Sequence, residues 1–392
     1  MFRAESALEE KLEKMDSHCD VDKFFAEYPL FQEFIQERPP IERYCFGLLV
    51  LLHKFSSIME GLSLVKDPHS LLQEMASALV GCERFYEPMG GLLWYYLTTL
   101  QLIEKQKKCI LGEEVQGIEY KAPPFYDFRK ETSYVTKILD EGLKALPETA
   151  EVYTVGGAGE RLGLIDPIKK EPLPVAFLRF LGKTTLEHLF RDLEAREYLY
   201  EKRYGKSLSL PVIMMTSQEQ GNAEKIEALL EQNDFFGRPK EHILRVVQPL
   251  VPLIDCEGNF ALKAPLSLAE KPGGHGVLWR LMMIKHVFPW LHEKKIAHLI
   301  IRQINNPLGG TDSALLALVG LGSYEKKLFG FASCPRRDGL AEGLNVLKVK
   351  KEERYHSSLS NLEYTAFNAI LKEDPSFFSR QTFFANTNLL YA

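Results

Sequence analysis

The residues best suited to chemistry are Gly156-Gly157-Ala158-Gly159-Glu160-Arg161-Leu162-Gly163, directly after the aliphatic run Val152–Val155. Closely spaced glycines allow positive φ and bring backbone N–H groups against a ligand. Arg161 adds a permanent cation whose forked donors suit phosphate oxygens. The combination points to a polyphosphate, with a tight turn and a surface arginine as the plain structural alternative. Two commoner glycine motifs fail. A dinucleotide-type GxGxxG starting at Gly157 puts Leu162 where the third glycine belongs. Gly182-Lys183-Thr184 has the ending of a P-loop, but Phe177 stands where the earlier glycine is required. Gln248 closes another aliphatic run, and its amide supplies both donor and acceptor. His275 stands among glycines in Lys271-Pro272-Gly273-Gly274-His275-Gly276 and can hydrogen-bond without titrating.

These residues need a scaffold, and from Glu151 onward the pattern supplies one. Strand-like runs at Val152–Val155, Pro211–Met215, Ile243–Gln248 and His298–Ile304 alternate with helical segments at Thr184–Tyr204, Ala223–Leu230, Gly276–His286 and Ser313–Val319. Thr184 followed by Glu187 is a capping-box start. Such alternation predicts an α/β fold with a mostly parallel mixed sheet, whose ligands sit beyond the carboxyl ends of the strands. The chemical residues fall at those ends. Residues 1–145 read instead as an all-helical N-terminal domain, with amphipathic segments Glu42–His53, Ser70–Val80 and Met89–Glu104 between proline breakers. The expected domains are therefore 1–145 and 146–392, the second cut short inside a strand-like run ending at Ala392.

A net charge of -5 argues against a dedicated nucleic-acid or anionic-membrane binder, so phosphate recognition must be local. The N-terminus lacks a signal-peptide core, and the apolar runs around Cys45–Leu52 and Gly90–Ile103 are shorter than a membrane span. Six cysteines without CxxC spacing suit a reducing, cytoplasmic setting.

The glycine loop resembles the signature of the UDP-sugar pyrophosphorylases, a family with a Rossmann-like nucleotidyltransferase domain. The resemblance is closest to the family's chloroplast branch. It continues through Met214-Met215-Thr216-Ser217, Gln248-Pro249-Leu250-Val251-Pro252, Arg302-Gln303-Ile304-Asn305-Asn306, Glu342-Gly343-Leu344-Asn345, Glu363-Tyr364-Thr365 and Ala385-Asn386-Thr387-Asn388. It implies transfer of the uridylyl group of UTP to a sugar 1-phosphate, with release of pyrophosphate. Glucose 1-phosphate is the acceptor implied first; N-acetylglucosamine 1-phosphate and galactose 1-phosphate are the alternatives. By the same resemblance Gly156, Gly157 and Gly159 would lie against the nucleotide, and Arg161 against the departing phosphates. Gln248, Met215, Gly274 and His275 would meet the uridine and Glu363 the sugar hydroxyls, with Asn306 and Asn388 as further substrate-binding candidates.

Two departures bear on activity. Val175 stands where the family usually has a lysine, although the chloroplast members also lack it. Asn305 occupies the place of the family's Mg2+-binding aspartate, so a metal would depend on Asn305, with Asp312 and Asn388 as helpers, and chiefly on the UTP phosphates. An inactive UDP-sugar-binding relative is the second reading. The nucleophile, a phosphate oxygen, is already anionic, so positioning and charge neutralisation suffice without a general base.

Overall fold

The computed structural model describes residue 11 and residues 19–111, 118–157, 162–306, 308–337, 340, 342–351, 355–367, 370–371, 375–380 and 382–392. The chain forms two compact units. One comprises Met1–Gln106 with Pro249–Gly273, the other Lys107–Gln248 with Gly274–Ala392.

The first unit is built on helices α1 (Cys19–Glu27), α2 (Pro29–Gln36), α3 (Pro40–Leu51), α4 (Phe55–Met59), α5 (Pro68–Tyr86) and α6 (Gly91–Leu111) as far as Gln106. Proline opens α2, α3 and α5, where a missing N–H costs nothing. Asp67 caps α5 by accepting from the Ser70 N–H at 3.1 Å. Phe31, Phe46 and Phe55 are fully buried and meet edge-on or tilted at 4.9–5.5 Å, the packing aromatic quadrupoles favour. The unit also takes in Pro249–Gly273, which the sequence pattern groups with residues 146–392, and that segment adds short strands. Leu250–Pro252 pairs antiparallel with Glu270–Pro272, and Leu262–Ala264 with Ser267–Leu268.

The second unit holds a nine-stranded sheet. Its strands are β1 (Ile118–Lys121), β2 (Thr149–Thr154), β3 (Val212–Ser217), β4 (Ile243–Gln248), β5 (His298–Gln303), β6 (Gly330–Pro335), β7 (Leu344–Lys351), β8 (Tyr355–Leu362) and β9 (Phe384–Tyr391). The order is β4-β3-β2-β5-β9-β7-β1, with β6 also pairing β9 and β8 also pairing β7. The sheet is mixed. β4, β3, β2 and β5 are parallel; every pairing beyond β5 is antiparallel. All residues of β2 and β3 are buried, the pattern of strands covered on both faces.

Helices α7 (Ser133–Ala145), α8 (Thr185–Tyr204), α9 (Asn222–Gln232), α10 (Val277–Ile284), α11 (Val287–Glu293) and α12 (Ala314–Glu325) belong to this unit. Thr184 caps α8 by accepting from the Glu187 N–H at 3.1 Å. The expected boundary at residue 145 is displaced because α7 packs on α12. Their backbones cross at two glycines: a Cβ on Gly142 would lie 2.0 Å from Leu316 O, and one on Gly320 1.9 Å from Ile138 O. Among the described residues, no single helix is long and apolar enough to cross a membrane.

Candidate active site

In an open α/β sheet, the crevice lies where successive connections leave a strand in opposite directions. Here that point is between β2 and β5. The chain runs from β2 to β3 and β4 on one side, then returns to β5 on the other. The glycine loop leaves β2 at this point.

Gly156 is pressed against the ends of β3 and β4. A Cβ there would lie 2.4 Å from Gln248 Nε2 and 3.1 Å from the Thr216 backbone carbon, so any larger residue would have to push the Gln248 amide aside. The Ser217 hydroxyl donates to Gly156 O at 3.1 Å. Asn222, 1% exposed, fastens the two strand ends: its Oδ1 accepts from the Ser217 N–H at 3.0 Å, and its Nδ2 donates to Val155 O at 3.1 Å. Gln248 is buried, and its Oε1 accepts from the Gly274 N–H at 3.1 Å. Gly274 has φ +86, a left-handed conformation that favours glycine. Sequence reasoning missed Asn222, whose only signal is an amide opening α9 just after a strand.

Beyond β5 the antiparallel strands enclose a hollow of about 410 Å3. Asn305, Asn306, Asn361, Asn386 and Asn388 line it, with Glu342 and Glu363. No lysine or arginine stands among its described lining residues. Such walls suit a neutral polyhydroxyl ring, since amides both donate and accept and carboxylates accept. Arg337 donates to Glu342 through its backbone N–H (3.2 Å) and guanidinium (3.0 Å), holding that carboxyl below its ordinary range. The hollow depends on a bulge in β9. Ala332 pairs with Leu389 but Ser333 with Asn386, leaving Thr387 and Asn388 as extra residues. Asn388 takes φ +58, which asparagine tolerates better than most residues. Its N–H donates to Asn386 Oδ1 at 3.0 Å, and Asn306 Nδ2 donates to Thr387 O at 3.0 Å.

The two clusters are neighbours by register. Gln303 pairs with Thr154, so Asn305 and Gly156 each stand two residues past the same rung. Beneath them lies a buried ionic network that sequence reasoning also missed. Arg302, fully buried, meets Asp192 at 2.7 Å and Glu151 at 3.6 Å. Glu151 also pairs with Arg196 and accepts from the Tyr153 hydroxyl at 2.8 Å. Burial alone would raise the Glu151 pKa, but Arg196 and Arg302 outweigh it and hold the carboxyl below its usual range. Gly310, in the turn after β5, lies over this network; a Cβ there would be 2.5 Å from Asp192 Oδ2.

The remaining expected residues divide clearly. Gly157 is exposed beside Gly156, and its carbonyl accepts from the Val175 N–H at 3.3 Å. Val175 is buried, and its carbonyl accepts from the Thr185 hydroxyl. Gly159 and Arg161 lie outside the described residues. Met215, at 1% exposure, is enclosed within the sheet rather than offered to the crevice. Asp312 is not on the hollow's wall; its Oδ1 accepts from the Ala314 N–H at 2.8 Å at the start of α12. Among the described residues, no three His, Cys, Asp or Glu side chains group to hold a metal.

No protein-family model matches the sequence. The chain is 36% identical over 377 residues to UTP–glucose-1-phosphate uridylyltransferase 3, chloroplastic, of Arabidopsis thaliana, covering 90% of this chain and 43% of that protein. It is 26% identical over 216 residues to the UDP-N-acetylglucosamine pyrophosphorylase of Saccharomyces cerevisiae, covering 54% of this chain and 43% of the relative. The chain thus spans less than half the length of these curated relatives. The fold matches the crystal structure of the Trypanosoma brucei uridine diphosphate N-acetylglucosamine pyrophosphorylase in complex with inhibitor. That match has a TM-score of 0.64 and 18% identity over 90% of this chain and 66% of the other.

Proposed function

We propose, from this kinship with the UDP-sugar pyrophosphorylases, that the chain transfers the uridylyl group of UTP to a sugar 1-phosphate, glucose 1-phosphate first. The observation that carries this reading is a pair of unlike environments across one rung of the sheet. One is the glycine end of β2, packed against the Gln248 amide; the other is an amide-walled hollow without a described cation. A base and a neutral sugar ring ask for those two environments. The phosphates between them ask for the glycine-loop N–H groups and for Arg161.

In this reading the parallel half is a Rossmann-like nucleotidyltransferase core. Gln248, Gly274 and His275 hold the uridine; Asn306, Glu363 and Asn388 hold the sugar. The acceptor's phosphate oxygen attacks the α-phosphorus of UTP in line as the bond to the bridging oxygen of pyrophosphate breaks. That oxygen needs no base, so the chain's work is alignment and neutralisation of charge on the leaving pyrophosphate. The described residues do not form an oxygen cage for Mg2+: Asn305 offers one neutral oxygen, and Asp312 lies off the hollow's wall, bonded to the Ala314 N–H. The ligands of any divalent cation would come chiefly from the polyphosphate. The scattered cysteines favour a cytoplasmic setting, while the Arabidopsis relative carries a chloroplast name.

Pyrophosphate release from UTP and glucose 1-phosphate is the direct test, with N-acetylglucosamine and galactose 1-phosphates alongside. Arg161→Ala should lower turnover about 10²-fold, the scale of losing one transition-state charge contact. Unchanged turnover in the folded variant would remove Arg161 from the chemistry. Buried Val175 in the family's lysine position favours one second reading, a UDP-sugar binder without turnover. UDP-glucose binding without pyrophosphate release from any of the three acceptors would establish it.

A further inference from the structure

The segment between the two uridine-binding candidates, Gln248 and Gly274, belongs to the first unit. The chain leaves the sheet immediately after Gln248 and returns at Gly274. Inside the first unit this segment is an antiparallel ladder. Pro252 stands opposite Glu270, Val251 opposite Lys271, and Leu250 opposite Pro272. The Gly273 N–H then donates to Pro249 O at 2.9 Å. Gln248 and Gly274 directly flank this segment in the chain and are bonded to each other through Gln248 Oε1 and the Gly274 N–H.

The N-terminal helices grip that ladder through specific groups. The Tyr95 hydroxyl donates to Pro252 O at 2.7 Å in a buried contact. The Tyr96 hydroxyl donates to Gly258 O at 3.0 Å, and its ring stacks on Phe260 at 5.6 Å and 10°. Lys54 Nζ donates to Asn259 Oδ1 at 2.9 Å. Gly258, at φ +82, also lies so close beneath α6 that a Cβ would stand 2.8 Å from Leu100. An excursion of this length held only at its ends would be loose, whereas bonds to both its strand and its turn fix its register.

We propose that the N-terminal helices serve nucleotide recognition. Tyr95 and Tyr96 are positioning residues that hold the Pro249–Gly273 ladder, so that Gln248 and Gly274 meet the base in register. The inference rests on the uridylyltransferase reading and gives the helical region a task that its own sequence does not reveal. It assigns no substrate contact to either tyrosine.

Tyr95→Phe and Tyr96→Phe keep the rings and remove only the hydroxyls. Each should raise the KM for UTP, and the calorimetric Kd for UTP, about threefold, and the double variant about tenfold. The KM for the sugar 1-phosphate should stay within twofold of wild type. Ser77→Ala, which removes an exposed hydroxyl bonded only within α5, serves as the control and should move neither constant. If the double variant proves too unstable, either single variant reads the same split. A folded Tyr95→Phe with unchanged UTP affinity, or with both KM values rising together, overturns the inference. Failure of the wild-type chain to bind UTP overturns the uridine reading itself, a distinct result.

Discussion

The parallel and antiparallel halves of the sheet use their strand ends in opposite ways. At β2, β3 and β4 the ends converge, and Gly156, Ser217, Asn222 and Gln248 hydrogen-bond or press against one another until little space is left. At β5, β8 and β9 the ends diverge around a hollow, and one strand is bulged to turn its amides toward it. A flat base can be read by one amide and a glycine that lets it approach. A sugar ring with hydroxyls on every side needs a wider polar enclosure. The first end is closed by contact, whereas the second opens onto a hollow with polar walls.

If both recesses depend on a common foundation, breaking it should damage the whole fold first. Arg302→Met leaves buried Glu151 and half-buried Asp192 with one fewer cation, and losing one partner of such a network costs about 3–5 kcal/mol. The Glu151 carboxyl is held low by Arg196 and Arg302, so its contribution to stability is full above the ordinary carboxylate pKa. That contribution is lost as pH falls through the depressed folded value. With Arg302 gone, the folded pKa rises toward the ordinary value, and acid unfolding should begin at higher pH. Urea unfolding at several pH values measures both effects. A stability change under 1 kcal/mol would make the network incidental.

Gly156→Ala attacks only the converging recess. The new methyl group must displace Gln248, and the Gly274 bond goes with it. UTP affinity should fall about tenfold while the KM for the sugar 1-phosphate holds. Equal losses for both substrates would mean that the two recesses are one cooperative site.

The same contrast explains what the sequence could disclose. β4 runs over Ile243–Gln248, the range its aliphatic pattern marks, and Thr184 caps α8 as its spacing with Glu187 indicates. Those signals are local, since they depend on periodicity and on a side chain reaching three residues ahead. The bulge at Asn388 depends on how β6 happens to pair with β9, and no local pattern encodes that register. Asp312 shows a local bond that residue type alone does not disclose. Its type suits a metal, but its Oδ1 accepts from the Ala314 N–H at a helix start. The boundary at residue 145 was misplaced because α7 looks like any amphipathic helix. Only its glycine crossing with α12 assigns it to the sheet. The ladder over Pro249–Gly273 was likewise invisible, because its partners lie far upstream in the chain.

The smallest expected effect tests the diverging recess. Glu363 lines the hollow beside Asn361 and Tyr364 and, in the proposed role, accepts hydrogen bonds from sugar hydroxyls. Glu363→Gln keeps the shape and one acceptor oxygen while removing the charge that strengthens such bonds. The KM for the sugar 1-phosphate should therefore rise only about threefold, with the KM for UTP unchanged. The modest size follows from the construction of the recess: with five other amides on the wall, no single group carries the sugar alone. A loss of a hundredfold or more would reverse that conclusion and make Glu363 the dominant contact. A rise in the KM for UTP instead would place Glu363 on the nucleotide's side of the β2–β5 seam.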